Sequence, residues 1–135
     1  MTDINFLAVI LTAVAAVVVS TVWYIIFANP YAASLQVFTS QPADDQARPP
    51  AWKVVVELVR SLVLATGVAI LIRELGLSTA VQGLALGLGL WIMFPVVLLA
   101  GSVAWDGAPI RLAAVHAGDW GIKLILVATA LAIWS

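Results

Sequence analysis

The chain has 135 residues, 64% of them hydrophobic and 10% charged, with a formal net charge of -1 and a mean hydropathy of +1.12. Water-soluble domains are close to half apolar and a quarter charged, so this composition describes a polytopic membrane protein and leaves no soluble catalytic domain. Six Lys and Arg make no basic footprint for nucleic acid, zero Cys excludes disulfides and thiolate chemistry, and a single His excludes a multi-histidine site within one protomer.

A hydrocarbon core of about 30 Å takes roughly 20 residues of helix. Four segments reach that length: residues 4–27, 54–72, 79–103 and 111–134. Backbone groups in lipid must be satisfied internally, and the runs are too long and too evenly apolar for barrel strands. The expected fold is all-α, a single domain forming an antiparallel bundle of four transmembrane helices.

The first segment begins with Asp3 and no Lys or Arg, unlike the basic start of a secretory signal, and reads as a retained span. Thr12, Ala16 and Ser20 recur every four residues on it, a small-residue face that lets helices approach closely. It should end before Asn29-Pro30, where Trp23, Tyr24, Phe27 and Tyr31 gather as an interfacial anchor. Residues 28–53 form the one long polar stretch, expected to be a loop with room for a short interfacial helix.

On the second helix, Glu57 and Arg60 stand three apart and can pair, close enough to the Lys53 end to reach the headgroups. Arg73 to Ser78 is a short connection, with Gly76 expected as a C-cap and Ser78 as an N-cap. The third helix repeats the small-residue spacing at Gly83 with Gly87 and at Ala85 with Gly89, and Pro95 should kink it. Asp106-Gly107-Ala108-Pro109 is a tight turn into the fourth helix. Short connections make the second, third and fourth helices antiparallel neighbours.

The fourth helix carries His116, Asp119 and Lys123 within about 60° of one another. Lys123 lies about 12 to 18 Å from the helix start, where a charge costs roughly 2.5 to 3.5 kcal/mol to insert. Asp119, four residues earlier, is its expected ion-pair partner. Gly118 with Ala114, and Gly121 with Ala117, extend the small-residue packing to this helix. A cluster of Glu57, Arg60, Arg111, His116 and Asp119 at the mouth of the bundle is compatible with these placements. Any relay onward across the membrane would have to use Gln82, Thr66 or Ser61. Trp23, Trp52, Trp105 and Trp134 fall where interfacial belts are expected, whereas Trp91 and Trp120 are deeper and are expected to pack in the core or line an apolar-ligand pocket.

Two stretches resemble the DUF1761 family, small bacterial four-helix membrane proteins of unknown function. In residues 8–31 a small-residue helix runs into Trp23-Tyr24 and Phe27; in residues 89–134 Trp91, Phe94, the Trp105-Asp106-Gly107 turn with Pro109, and Ala117-Gly118 followed by an aromatic carry the likeness. Asp119 and Lys123 depart from the aromatic or apolar residues expected beyond that glycine. The resemblance implies the four-helix fold and a bacterial inner-membrane location, with no activity or catalytic residues to transfer.

Lys and Arg placement, with Arg48, Lys53 and Arg111 on one side and Arg73 alone on the side of the termini, puts both termini in the periplasm. The expected role is non-enzymatic, through helix-helix association as a homo-oligomer or as an accessory subunit of a larger membrane complex. A small proton- or ion-coupled transporter using the fourth-helix stripe is one alternative; a binder of an apolar ligand such as a lipid, quinone or pigment is another. Membrane lipids and other membrane subunits are the expected partners, and no cofactor or metal is expected.

Overall fold

The computed structural model describes residues 4–27 and 51–134. Four helices account for almost all of them: α1, Phe6–Ile26; α2, Ala51–Leu75; α3, Ala80–Asp106; and α4, Ile110–Trp134. Each is long and apolar enough to cross a membrane, and no strand occurs among the described residues. Most of the expected polar loop, together with Tyr31 and Arg48, lies outside the described residues. Ala51, Trp52 and Lys53, assigned to that loop from the sequence, instead form the first turn of α2.

The helix ends follow their local chemistry. Asn5 caps α1 by accepting from the Ala8 N–H at 3.1 Å. Gly76, at φ 66°, closes α2 in the left-handed region, while Leu77 N–H reaches the Ile72 carbonyl at 3.0 Å and Gly76 N–H that of Arg73 at 3.2 Å. This is a Schellman closure. The N-cap of α3 is Thr79 and not the expected Ser78, because only Thr79 stands three residues before Gln82. The Thr79 side chain accepts from the Gln82 N–H, and the Gln82 side chain accepts from the Thr79 N–H in return. Gln82 is thereby fixed at the membrane surface. Around Pro95, which has no N–H to donate, residues Ile92–Val96 widen into a π-turn. The kink expected from the sequence takes this form.

Helix α4 is the hub, packing against α1, α2 and α3, and α1 also packs on α2. The expectation that α2 and α3 are neighbours is not met: despite the short turn joining them they scarcely touch. The buried face of α2, made of Ser61, Ala65, Val68, Ala69 and Ile72, is directed to α1 and α4. On α3, Gly83 and Gly87 lie against the α4 backbone. A β-carbon on Gly83 would fall 2.6 Å from the Ala128 carbonyl oxygen, and one on Gly87 2.8 Å from that of Leu124. The two helices meet with essentially no side chain between them.

Alanine supplies much of the interior, at Ala8, Ala13, Ala16, Ala65, Ala69, Ala128 and Ala132, with Val68, Ile72, Val127 and Leu131 packed among them, whereas most of the large Leu, Val, Ile and Phe side chains are exposed. That inversion is what a lipid solvent requires. Thr12, Ala16 and Ser20 are buried inside the protomer, as are Gly83 and Gly87, so these faces build the bundle itself. Ala85 is exposed and Gly89 faces open space; this second α3 stripe packs against nothing among the described residues.

Candidate functional site

The stripe on α4 meets polar groups from two other helices. Asp119, buried, accepts from Ser20 Oγ of α1 at 2.7 Å and from the Tyr24 hydroxyl at 3.4 Å. Tyr24 also lies 2.7 Å from His116 Nδ1. Lys123 Nζ sits 3.3 Å from Asp119 Oδ2, the i to i+4 pair expected from the sequence. It also donates to Glu57 Oε1 of α2 at 2.5 Å. Glu57 Oε2 in turn accepts from Arg60 Nη1 at 2.9 Å.

A continuous path of charged and hydrogen-bonding groups therefore runs laterally through the bundle: His116, Tyr24, Asp119, Lys123, Glu57, Arg60. Lys123 is 2% exposed and Asp119 3%. A charge buried in that way is tolerated only when paired and hydrogen-bonded. Two carboxylates face two cations here, which balances the tetrad. The Trp120 ring backs it, with Lys123 Nζ at 5.1 Å and Arg60 Cζ at 5.4 Å from its centroid.

Several sequence placements change. Glu57 is not part of a detached headgroup-facing pair; it joins Arg60 to the buried Lys123. Arg111 is exposed and stands apart from the cluster, whereas Lys123 belongs to it. Ser20 reads from its spacing as a packing residue and Tyr24 as an interfacial aromatic, yet both serve Asp119. Trp23 is likewise no simple belt residue: its indole N–H donates to the Val115 carbonyl at 2.9 Å, and its ring fills the space where a β-carbon on Gly118 would stand. Trp91 plays the same part on α3, donating to the Ala117 carbonyl at 2.8 Å and lying over Gly121. Gly118 and Gly121 thus receive indole rings, and close helix backbones do not contact them. Trp52, Trp105 and Trp134 are exposed near helix ends, as belts require.

The separation of α2 from α3 leaves a membrane-facing cleft of about 600 Å³ floored by α4. Gly67 and Leu71 line one wall, Phe94 and Pro95 the other, and Trp120 and Arg60 belong to both the cleft and the charged network. A β-carbon on Gly67 would meet nothing within 4 Å. Among the described residues no group of His, Asp and Glu is arranged to hold a metal ion.

A sequence profile described as a protein of unknown function, DUF1761, matches residues 7–132. The chain belongs to the DUF1761 family. The match takes in all four helices, the residues of the polar network and the walls of the cleft, so the site described here lies entirely within the DUF1761 region. No curated protein and no solved structure matches the chain.

Proposed function

We propose that this membrane protein is a non-enzymatic binder of a membrane-dissolved amphiphile, held within the bilayer plane in the cleft between α2 and α3. The observation that carries the reading is that Arg60 and Trp120 form one stretch of the cleft wall and also one end of the buried network. Its volume falls in the range of about 300–1,000 Å³ usual for small-molecule sites, and apolar walls with a few convergent polar groups are what such sites present. The intramembrane ion pairs then have a role beyond packing: they hold the guanidinium and the indole against an otherwise greasy groove.

Two other readings receive less support. Association through small-residue faces draws on Thr12, Ala16, Ser20, Gly83 and Gly87, which are engaged inside the protomer, and on Gly118 and Gly121, which receive indole rings; Ala85 with Gly89 is the stripe left unpartnered among the described residues. For a proton or ion path, Gln82 is tied into a cap and Thr66 donates to the Leu62 carbonyl of its own helix at 2.7 Å. Beyond Lys123 the interior is dominated by Val127, Ala128, Leu131, Val68 and Ile72. As to location, Lys53 and Arg111 at one membrane face against Arg73 at the other support a bacterial inner-membrane orientation with both termini periplasmic.

The test is native mass spectrometry of protein extracted in mild detergent. Wild type is expected to retain an amphiphile, and Gly67→Phe, which fills the cleft without disturbing a helix contact, to lose it. Equal retention by both, or none by wild type, overturns the proposal.

A further inference from the structure

Resting on that reading, we infer that the occupant is an anionic membrane lipid, its acyl chain in the cleft and its headgroup on the Arg60 guanidinium. Arg60 carries five N–H donors, and among the described residues only Nη1 is bonded, to Glu57 at 2.9 Å. Its side chain is 51% exposed, on the wall of the cleft that faces lipid. It lies about 10 Å deeper along α2 than Lys53, and Lys53 stands beside Trp52, which is 63% exposed at the helix start. Donors at that depth have little water to turn to, so they require an acceptor delivered from the bilayer.

The charge pattern selects the acceptor. Glu57 is shared between Lys123 and Arg60, and Asp119 is held by Lys123, Ser20 and Tyr24. Glu57 is the one carboxylate that Arg60 touches among the described residues, and Arg60 divides it with the buried Lys123. A phosphodiester takes two guanidinium N–H groups in parallel, and a headgroup of net negative charge does so without bringing a cation of its own, such as choline, that competes with Arg60 for it. Lys53, Glu57 and Arg60 lie within about 60° on α2, so the headgroup reaches Arg60 along a face that also presents Lys53. The chain is needed to bring the anion to this depth, which separates a lipid from a soluble phosphate.

The experiment reconstitutes the full chain in lipid mixtures of phosphatidylglycerol and phosphatidylcholine with identical acyl chains, and counts each bound species by native mass spectrometry. Wild type is expected to favour phosphatidylglycerol by about tenfold. Arg60→Gln should bring the two lipids to near-equal binding while still holding a chain, Arg60→Lys should keep part of the preference, and free inorganic phosphate should displace neither. Equal binding of both lipids by wild type, an undiminished preference in Arg60→Gln, or displacement by inorganic phosphate overturns the headgroup assignment and leaves the cleft reading intact. Absence of any bound lipid, or binding unaffected by Gly67→Phe, overturns the cleft reading and this inference with it.

Discussion

Ser20 on α1 donates a 2.7 Å hydrogen bond to Asp119 on α4, with both residues buried between the helices. The last member of the Thr12, Ala16, Ser20 stripe is thus both small enough for close packing and polar enough to solvate an intramembrane carboxylate. Ser20→Ala preserves the packing and removes the donor. It should lower stability by about 1–2 kcal/mol, between the usual cost of an interhelical hydrogen bond in a membrane and that of one made to a charged group. Ser20→Thr should retain more of it than Ser20→Ala does. Thermal or denaturant unfolding in detergent reads the difference; equal stability of Ser20→Ala and wild type counts against a solvating role.

Hydropathy revealed the four spans because lipid demands long apolar helices whatever their neighbours, and spacing along one helix revealed the Asp119–Lys123 pair. Contacts between helices were less legible. Glu57 and Lys123 are far apart in the chain, and nothing in the periodicity of α2 marks Glu57 as facing inward. Short connections also misled: the Gly76–Thr79 turn sets α2 and α3 antiparallel, but Gly83 and Gly87 draw α3 to α4 and open the cleft. Trp23 and Trp91 read as belt or core residues because a sequence does not show that their indole N–H groups reach carbonyls of α4.

Lys123 holds two carboxylates at once, and losing it leaves both without their shared cation. Lys123→Met should destabilise the protein by about 3–5 kcal/mol, the cost of breaking a buried pair by removing one partner. The Lys123→Met, Asp119→Leu double variant should recover part of that loss, because it removes one stranded charge together with its partner. Additive losses in the double-mutant cycle would contradict the coupling that the geometry implies.

Glycines on α3 should respond oppositely to the same change. Gly83→Ala drives a methyl group into the α4 backbone and should cost about 1–3 kcal/mol as overpacking. Gly89→Ala meets open space and should gain about 0.5–1 kcal/mol from helix propensity. Unfolding of the two variants side by side checks the α3–α4 contact; a tolerated Gly83→Ala would mean that the helices do not meet there.

Thr129 offers a stabilising change. Its buried hydroxyl oxygen finds no hydrogen-bond partner among the described residues, near the point where Gly83 presses on α4. Thr129→Val keeps the shape and removes the unsatisfied group, and should raise stability by about 1 kcal/mol. A loss of stability would show that the hydroxyl has a partner in the folded protein.

The absence of native cysteine makes the orientation directly measurable. Ser78 lies in the turn between α2 and α3, on the membrane face shared with the start of α1, and Asp106 lies at the opposite face where α3 ends. Both are exposed, so cysteine at either position should react readily with a reagent on its own side. If Lys53 and Arg111 hold their face in the cytoplasm, Ser78→Cys should be labelled in intact cells by a membrane-impermeant maleimide. Asp106→Cys should react only after the membrane is broken. The reverse pattern would place the Arg60 end of the cleft at the periplasmic leaflet, and an anionic lipid would then have to reach it from that side.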